Sequence, residues 1–364
     1  MNILIYTHEF PPFQGGIATS SKMIADILSS ENNLMVCCPS YGEKTPLNNE
    51  KFITHRINFI GGKSFKKIPL AQYIYGLFKI KKIIKSFKPE KIFYLGEEAE
   101  IIGGLLNEKE IDQVVRIAGS GIESIIKSNS IKKILPKFLL KRLYKNSQYI
   151  IAVSKNTKKL MEQENDFFSK EKIKLIYNGI DKDFLDKDID LSLIAKFKES
   201  NETFIILTVS RLLPRKGQDH VIRALSKIQN KNIKYLCVGE GSHREKYKSL
   251  VKSSNLENNV VFIGGIDRSD IHKYYDCADI FILCNRTWNS KIEGLPNVAI
   301  ESMARSTPVI GSKNTGTQEV IKDNINGYLV DPENIDDIAA KIKTAFSDKK
   351  KLKTMGDSAK IHIE

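Results

Sequence analysis

The sequence predicts an α/β protein built from two doubly wound domains that face each other across a cleft. Three observations carry that expectation. Short apolar segments of strand length recur along the chain, helical patterns separate them, and the rhythm stops once near the middle and restarts. Buried strands alternating with helices mean a parallel sheet covered on both faces.

Residues 2–7 form the first strand-sized block, which ends at the breaker series Glu9-Phe10-Pro11-Pro12-Phe13-Gln14-Gly15-Gly16. Helical spacing follows over residues 18–28, with Met23, Ile24, Ile27 and Leu28 on one face. Further strands are predicted at 34–38, 91–94, 114–118, 149–153 and 174–177. Asn178-Gly179-Ile180-Asp181 then breaks the rhythm, and the charged stretch to residue 202 carries no strand signal. The predicted division is a first domain at 1–180, a connecting region at 181–202 and a second domain at 203–364. Strands in the second domain are predicted at 204–209, 235–238, 260–263, 280–283 and 308–310. Ligands of such sheets bind beyond the carboxyl ends of the strands.

The 364 residues, 41% of them apolar, can bury two substantial cores. No apolar run approaches the ~18–20 residues of a spanning helix, and no hydrophobic signal segment leads the chain. A soluble cytoplasmic protein is expected. The five cysteines (Cys37, Cys38, Cys237, Cys277, Cys284) lack metal-ligand or disulfide spacing and read as small buried hydrophobes. Residues 1–180 hold 28 Lys and Arg against 17 Asp and Glu, a net of +11, whereas the remainder holds 29 against 26, or +3. The first half should therefore meet an acidic partner. Nucleic acid is disfavoured, because no nucleic-acid-binding signature accompanies the charge.

The strongest local chemistry follows residue 209, where Ser210-Arg211-Leu212-Leu213-Pro214-Arg215-Lys216-Gly217 leaves a strand and opens a helix at about Gln218. Arg211 and Lys216 can neutralise a diphosphate there, Arg by a forked contact and Lys as a point charge. The same spacing also suits a solvated basic loop. Glu293-Gly294-Leu295-Pro296-Asn297 precedes a helical pattern at 298–303, so Gly294 and Leu295 lie at a helix amino end that favours an anion. Glu301, one turn inside, can accept from a ribose hydroxyl, and Glu293 from sugar hydroxyls. Alternatively Glu293 caps the helix and Glu301 is an exposed helix residue. Gly239 and Gly241 around Glu240 suit a strand-end loop beside a ligand, as do Gly15 and Gly16 in the first domain. The dinucleotide fingerprint G-x-G-x-x-G is absent, and Cys37-Cys38-Pro39 stands where such sites end in an acid, which disfavours nicotinamide.

With these pieces placed, the chain resembles the retaining glycosyltransferases of family four, the group one glycosyl transferases of the GT-B fold, over nearly its whole length. The likeness is most specific in Val209-Ser210-Arg211 through Lys216-Gly217 and in Glu293 through Glu301, whose seven intervening residues match the family's E-x7-E motif. Phe10-Pro11-Pro12 leading to Gly15-Gly16, Val238-Gly239-Glu240-Gly241, Ala278-Asp279-Ile280-Phe281, Thr307-Pro308-Val309-Ile310 and Asn326-Gly327-Tyr328-Leu329-Val330 also match. The resemblance implies a nucleotide-diphosphate sugar as donor, UDP rather than GDP by family habit. Arg211 and Lys216 would hold the diphosphate, Glu301 the ribose and Glu293 the transferred sugar, with retained anomeric configuration and no metal or cofactor. Gly294, Leu295, Pro296 and Asn297 would line the donor site. Asp181-Lys182-Asp183 and Asp188-Ile189-Asp190 have D-x-D spacing but lie near the connecting region and read as solvated.

There are departures. The histidine that many relatives carry after a central strand of the first domain is replaced by Ala118, within Val115-Arg116-Ile117-Ala118-Gly119-Ser120-Gly121. Arg116 or Ser120 could contact sugar or phosphate instead, and His8, at the end of the first strand, is the one histidine of the first domain near the presumed cleft, although a structural role suits it better. Arg305-Ser306-Thr307-Pro308 lacks the family's glycine before Thr-Pro, and Lys313-Asn314-Thr315-Gly316 lacks its double glycine, changes expected to reshape loops near the donor. In this fold a final helix often braces the first domain. A helical pattern starting near Asp336 and stopping at Glu364 makes that brace short or the sequence truncated.

Residues 73–87 and 131–144 interleave apolar positions with lysines. Each reads singly as a packed amphipathic helix with a solvated basic face. Taken with the basic first half, they make a glycan or lipid-linked acceptor at an anionic membrane an expectation. Two rivals to a transferase in cell-envelope glycan synthesis remain open. One is a catalytically silent nucleotide-sugar binder, and the other a sugar-nucleotide epimerase or phosphorylase of similar architecture.

Overall fold

The computed structural model describes residues 1–13, 15–41, 51–58, 71–118, 125–288 and 294–363. The chain divides into two compact units, Met1–Asn178 and Gly179–Glu364.

The first unit holds strands β1 (Asn2–Thr7), β2 (Asn33–Pro39), β3 (Ile53–Ile57), β4 (Lys91–Leu95), β5 (Asp112–Ile117), β6 (Tyr149–Ala152) and β7 (Ile173–Leu175). Its helices are α1 (Gly16–Ser29), α2 (Ala71–Phe87), α3 (Glu97–Leu106), α4 (Ile134–Asn146) and α5 (Lys155–Gln163). All strand pairs are parallel, in the order β3-β2-β1-β4-β5-β6-β7. Alternation along β1 builds both faces: Ile3 and Ile5 pack with Ala25 of α1, whereas Leu4 and Tyr6 join a cluster with α2, α3 and α4. Helix α3 lies between α2 and α4 on that second face. Gly104 brings α3 and α4 into backbone contact, because a Cβ there would sit 2.3 Å from the Leu139 carbonyl oxygen. β3 went unpredicted. Its sequence, Ile-Thr-His-Arg-Ile, is an edge strand whose exposed and half-buried positions dilute the apolar signal.

The second unit holds β8 (Phe204–Val209), β9 (Ile233–Val238), β10 (Val260–Gly264), β11 (Ile280–Leu283), β12 (Val309–Ser312) and β13 (Gly327–Val330), parallel and ordered β10-β9-β8-β11-β12-β13. Helices α6 (Lys182–Leu185), α7 (Leu191–Phe197), α8 (Gln218–Ile228), α9 (Arg244–Ser253), α10 (Ile271–Cys277), α11 (Asn297–Ala304), α12 (Ile335–Ser347) and α13 (Lys349–Ile363) cover it. The strand order reverses between β8 and β11, which is where a doubly wound sheet opens its ligand crevice. Of the two elements at the carboxyl terminus, α13 packs on α11 of its own unit.

Residues 181–202, expected to be a connection, are docked on the second unit. Asp190 also caps α7, accepting from the Ser192 and Leu193 amides, 3.1 Å each. Ile194 and Phe197 of α7 pack against a cluster containing Tyr275 and Cys277. Arg305 ties α6 down by donating to the carbonyls of Phe184, Leu185 and Lys187 while forking onto Asp276. The Arg305–Pro308 turn precedes β12 and therefore lies at the amino edge of the sheet, so its departure from the family cannot reshape the strand-end loops. Ser306 there holds φ 57°, the left-handed geometry that favours the usual glycine. All five cysteines are buried thiols.

Between α3 and α4, Tyr144 donates to the Glu100 carboxyl at 2.6 Å inside the core. Burial pushes that carboxyl up to about 8. The folded protein then keeps a proton that the unfolded chain loses at about pH 4.3. This group's stabilisation is complete below that pH and falls by about 1.4 kcal/mol per pH unit as the pH rises toward 8. Glu100→Gln stays neutral throughout, so in urea melts the variant should gain on the parent from pH 5 to pH 8. A constant difference across that range would show that Glu100 does not titrate in this way.

Candidate active site

The second sheet's carboxyl edge is assembled loop against loop. After β8, residues Pro214–Lys216 form one 3-10 turn, and Gly217 at φ 77° opens α8. A Cβ on Gly217 would lie 2.0 Å from the Cys284 carbonyl at the end of β11. On the other side Gly239, at φ 126°, touches the Ser210 carbonyl, where a Cβ would stand 2.2 Å away. Leu212 N–H donates to the Glu240 carbonyl at 3.0 Å. Gln218 closes the loop by donating from Nε2 to Ser210 Oγ at 2.7 Å and to the Arg211 carbonyl at 3.2 Å.

Gly239 and Gly241 serve the close approach of one loop to the next. Glu240 pairs with Arg244 at 2.7 Å on the surface. The two expected cations also differ: Arg211 is exposed, whereas Lys216 is 8% exposed and held in the turn. Both nevertheless leave the same carboxyl edge, as expected.

From β11 the chain continues as Cys284-Asn285-Arg286, and the Arg286 amide donates to the Arg215 carbonyl at 3.0 Å. The Arg286 guanidinium lies 5.6 Å from the ring centre of Trp288 and donates from Nη2 to Asp219 at 2.8 Å. Its Nη1, the other Asp219 oxygen, Gln218 Oε1 and both amide atoms of Asn285 are buried without a partner. Such orphaned groups cost free energy unless water or a polar ligand completes them. They mark this edge as built for a polar guest. Asn285 and Arg286 lie outside the motifs quoted above and carry no sequence signal of their own.

Helix α11 begins at Asn297 behind Pro296, one residue before the expected start. Gly294 and Leu295 lead into it, and Gly316 of the loop after β12 presses on them: a Cβ there would lie 2.3 Å from Leu295 N. Its amino end is thus the positive pole of a helix on the ligand edge. Glu293 lies outside the described residues, as does Ser120. Glu301 is not the exposed helix residue that was one of its two readings. It is 3% exposed, accepting from Tyr275 Oη at 3.0 Å and pairing with Arg268 Nη1 at 2.8 Å. Burial works against the Arg268 charge, but Glu301 outweighs it and holds the guanidinium above its ordinary value. A carboxylate offers about four acceptor positions, so one for a ribose hydroxyl is compatible with both partners. Arg268 and Tyr275 were missed because tertiary packing alone brings them to Glu301.

In the first unit, His8 follows β1 and Arg116 lies near the end of β5. His8 sits edge-on to Tyr6 with ring centres 5.4 Å apart; its carbonyl accepts from Tyr41, and its Nδ1 is buried without a partner. Desolvation pushes the imidazole down to about 4, so it is neutral at pH 7. Arg116 is buried, donates from Nη2 to Asn178 Oδ1 and leaves Nη1 buried without a partner. Burial lowers it to about 10, which still leaves it charged. Gly15 is extended at φ 178°, and a Cβ on Gly16 would meet nothing within 4 Å.

The sequence matches the family described as Glycosyltransferase Family 4 over residues 14–184 and Glycosyl transferases group 1 over residues 192–362. The chain belongs to this glycosyltransferase family, of the GT-B type. Uncharacterized glycosyltransferase MJ1607 of Methanocaldococcus jannaschii is 35% identical over 208 residues, 55% of this chain and 51% of that relative, so the match spans about half of its length. The GDP-mannose-dependent alpha-(1-6)-phosphatidylinositol monomannoside mannosyltransferase of Mycolicibacterium smegmatis is 23% identical, covering 97% of this chain and 91% of the relative. Among solved structures, sucrose-phosphate synthase from Thermosynechococcus elongatus shares the fold with a TM-score of 0.85 at 18% identity, covering 100% of this chain and 94% of that one. Anabaena HepE in complex with UDP and glucose does so at 0.79 and 22%, covering 99% and 94%.

Glu301→Ala should strand Tyr275 Oη and the Arg268 guanidinium. A stability loss on the order of 2 kcal/mol is expected even without ligand, discounted because Arg268 is partly exposed. Denaturant unfolding of the ligand-free protein measures it, and a loss within error would mean that the carboxylate is not structurally engaged.

Proposed function

We propose that the protein transfers a hexose-type sugar from a nucleotide-diphosphate donor, UDP favoured over GDP, to a polysaccharide or lipid-linked acceptor, with retention and without a metal. The observation that carries this reading is the convergence on one edge of the second sheet. The Lys216 turn after β8, the orphaned polar groups after β11 and the amino end of α11 all lie there. A diphosphate is the guest that a cation beside a helix amino end suits. Lys216 and Arg211 would neutralise it and its developing charge as the sugar departs. Glu301, already oriented by Tyr275 and Arg268, would accept from the ribose, and Glu293 from the sugar. Retention would follow from acceptor attack on the face the leaving phosphate vacates, chemistry that asks mainly for positioning. Arg116 would serve the acceptor or sugar in place of the family histidine.

The relatives support the donor class without choosing the base. One is named GDP-mannose-dependent, and Anabaena HepE is solved with UDP-glucose. A Campylobacter jejuni relative is named as acting on a diphospho-undecaprenol substrate, which supports a lipid-linked acceptor. Such an acceptor would bring the protein to a membrane as a peripheral visitor from the cytoplasmic side. Among the described residues no helix is long and apolar enough to cross one. Ala118 favours a second reading, a silent nucleotide-sugar binder, which would bind donor and never turn it over.

A thermal-shift screen of nucleotide sugars should find a donor that raises the melting temperature, since ligand binding to the native state stabilises it. Lys216→Ala should then lower turnover of that donor by about tenfold or more while leaving the ligand-free melt within a few degrees. Undiminished turnover would remove Lys216 from the chemistry, and binding without turnover in the parent would favour the silent binder.

A further inference from the structure

Helix α4 is buried only in its second half, through Leu139, Leu140, Leu143 and Tyr144. From the preceding turn through Phe138 no residue is buried, and Ile131, Ile134, Leu135 and Phe138 are 84%, 62%, 46% and 59% exposed. Their spacing of three, four and seven residues puts them on one stripe. The expectation of an ordinary packed amphipathic helix therefore fails here. Helix α2 repeats the feature, with Ile74 at 54% and Phe78 at 70% in its first two turns. Single exposed apolar residues are commonplace, but stripes gathered in one place mark a binding surface.

The two stripes share a location. Both helices lie on one face of the first sheet, on either side of α3. Each leads back to a parallel strand, so each starts at the carboxyl edge, the edge that also carries His8 and Arg116. The two helices themselves are basic: residues 71–88 hold five lysines and no acid, and residues 125–146 hold seven Lys and Arg and no acid, while α3 between them sets Glu97 and Glu98 against that excess. A second copy of this chain would set like charge against like charge. A surface that accepts large apolar side chains and rewards a field of lysines is the interfacial zone of an anionic bilayer.

We infer that the first two turns of α2 and α4 are a membrane-docking edge, inserting Ile74, Phe78, Ile131, Ile134, Leu135 and Phe138 among anionic lipids. The lysines, Lys132 and Lys137 among them, stay at headgroup level. Docking at the carboxyl edge would present a lipid-linked acceptor beside Arg116, a consequence that depends on the transferase reading; the docking itself does not.

Flotation of the full chain with vesicles tests this. Vesicles of roughly one-third phosphatidylglycerol in phosphatidylcholine should carry the protein up the gradient, pure phosphatidylcholine should not, and about 0.5 M salt should release most of it. Ile134→Ser with Phe138→Ser should cut partitioning about tenfold, as should Lys132→Glu with Lys137→Glu. Ile27→Ser, which changes an exposed apolar residue of α1, should leave it unchanged. Unchanged melting and an unchanged nucleotide-sugar thermal shift in the serine pair would show that the fold and the second unit are intact, whatever the reaction proves to be. Flotation of the serine pair equal to the parent, equal binding to neutral vesicles, or a parent dimer that the serine pair dissociates would each overturn the inference.

Discussion

The second unit depends on backbone meeting backbone. At its ligand edge the loops after β8, β9, β11 and β12 touch main chain to main chain, at Gly239 against Ser210, Gly217 against Cys284 and Gly316 against Leu295. A methyl group at any of these points would overlap a neighbouring main-chain atom, and at Gly217 and Gly239 the left-handed φ adds strain for any other residue. The edge is therefore a single interlocked rim and not four independent loops. Lys216, which the surrounding turn nearly encloses, takes its position from that rim.

Rigidity of this kind matters for the chemistry proposed. Departure of a nucleoside diphosphate develops charge on phosphate oxygens, and donors already fixed in a dry setting stabilise it without reorganising. Glu301 follows the same logic. Tyr275 and Arg268 hold its carboxylate before any ligand arrives. Buried atoms left without partners on Asn285, Arg286, Asp219 and Gln218 are the complement: the free-energy cost of leaving them bare would be recovered if the proposed donor completed them.

Much of the fold was legible because buried parallel strands write themselves as unbroken apolar runs. The strands at 204–209 and 280–283 were read to the residue for that reason. β3 and β13 escaped, the first as a half-exposed edge strand and the second as a four-residue segment beginning with glycine. The candidate site was legible where a motif ties chemistry to a strand end, as at Lys216 and the start of α11. It was illegible where the partner comes from elsewhere, as Arg268 and Tyr275 do for Glu301, or where one glycine pattern serves two purposes. Gly239 suggested room for a ligand, yet its hydrogen stands where another loop passes. Arg305 looked like a change beside the donor, but its place before β12 puts it at the opposite edge, clasping α6.

Trp288 is the single tryptophan of the chain and it stacks on Arg286, next to the orphaned polar groups. An indole in that position gives the protein an optical label of its own. Its emission comes from one place, so any quenching or spectral displacement caused by an added compound reports an event at this rim, free of background from other indoles.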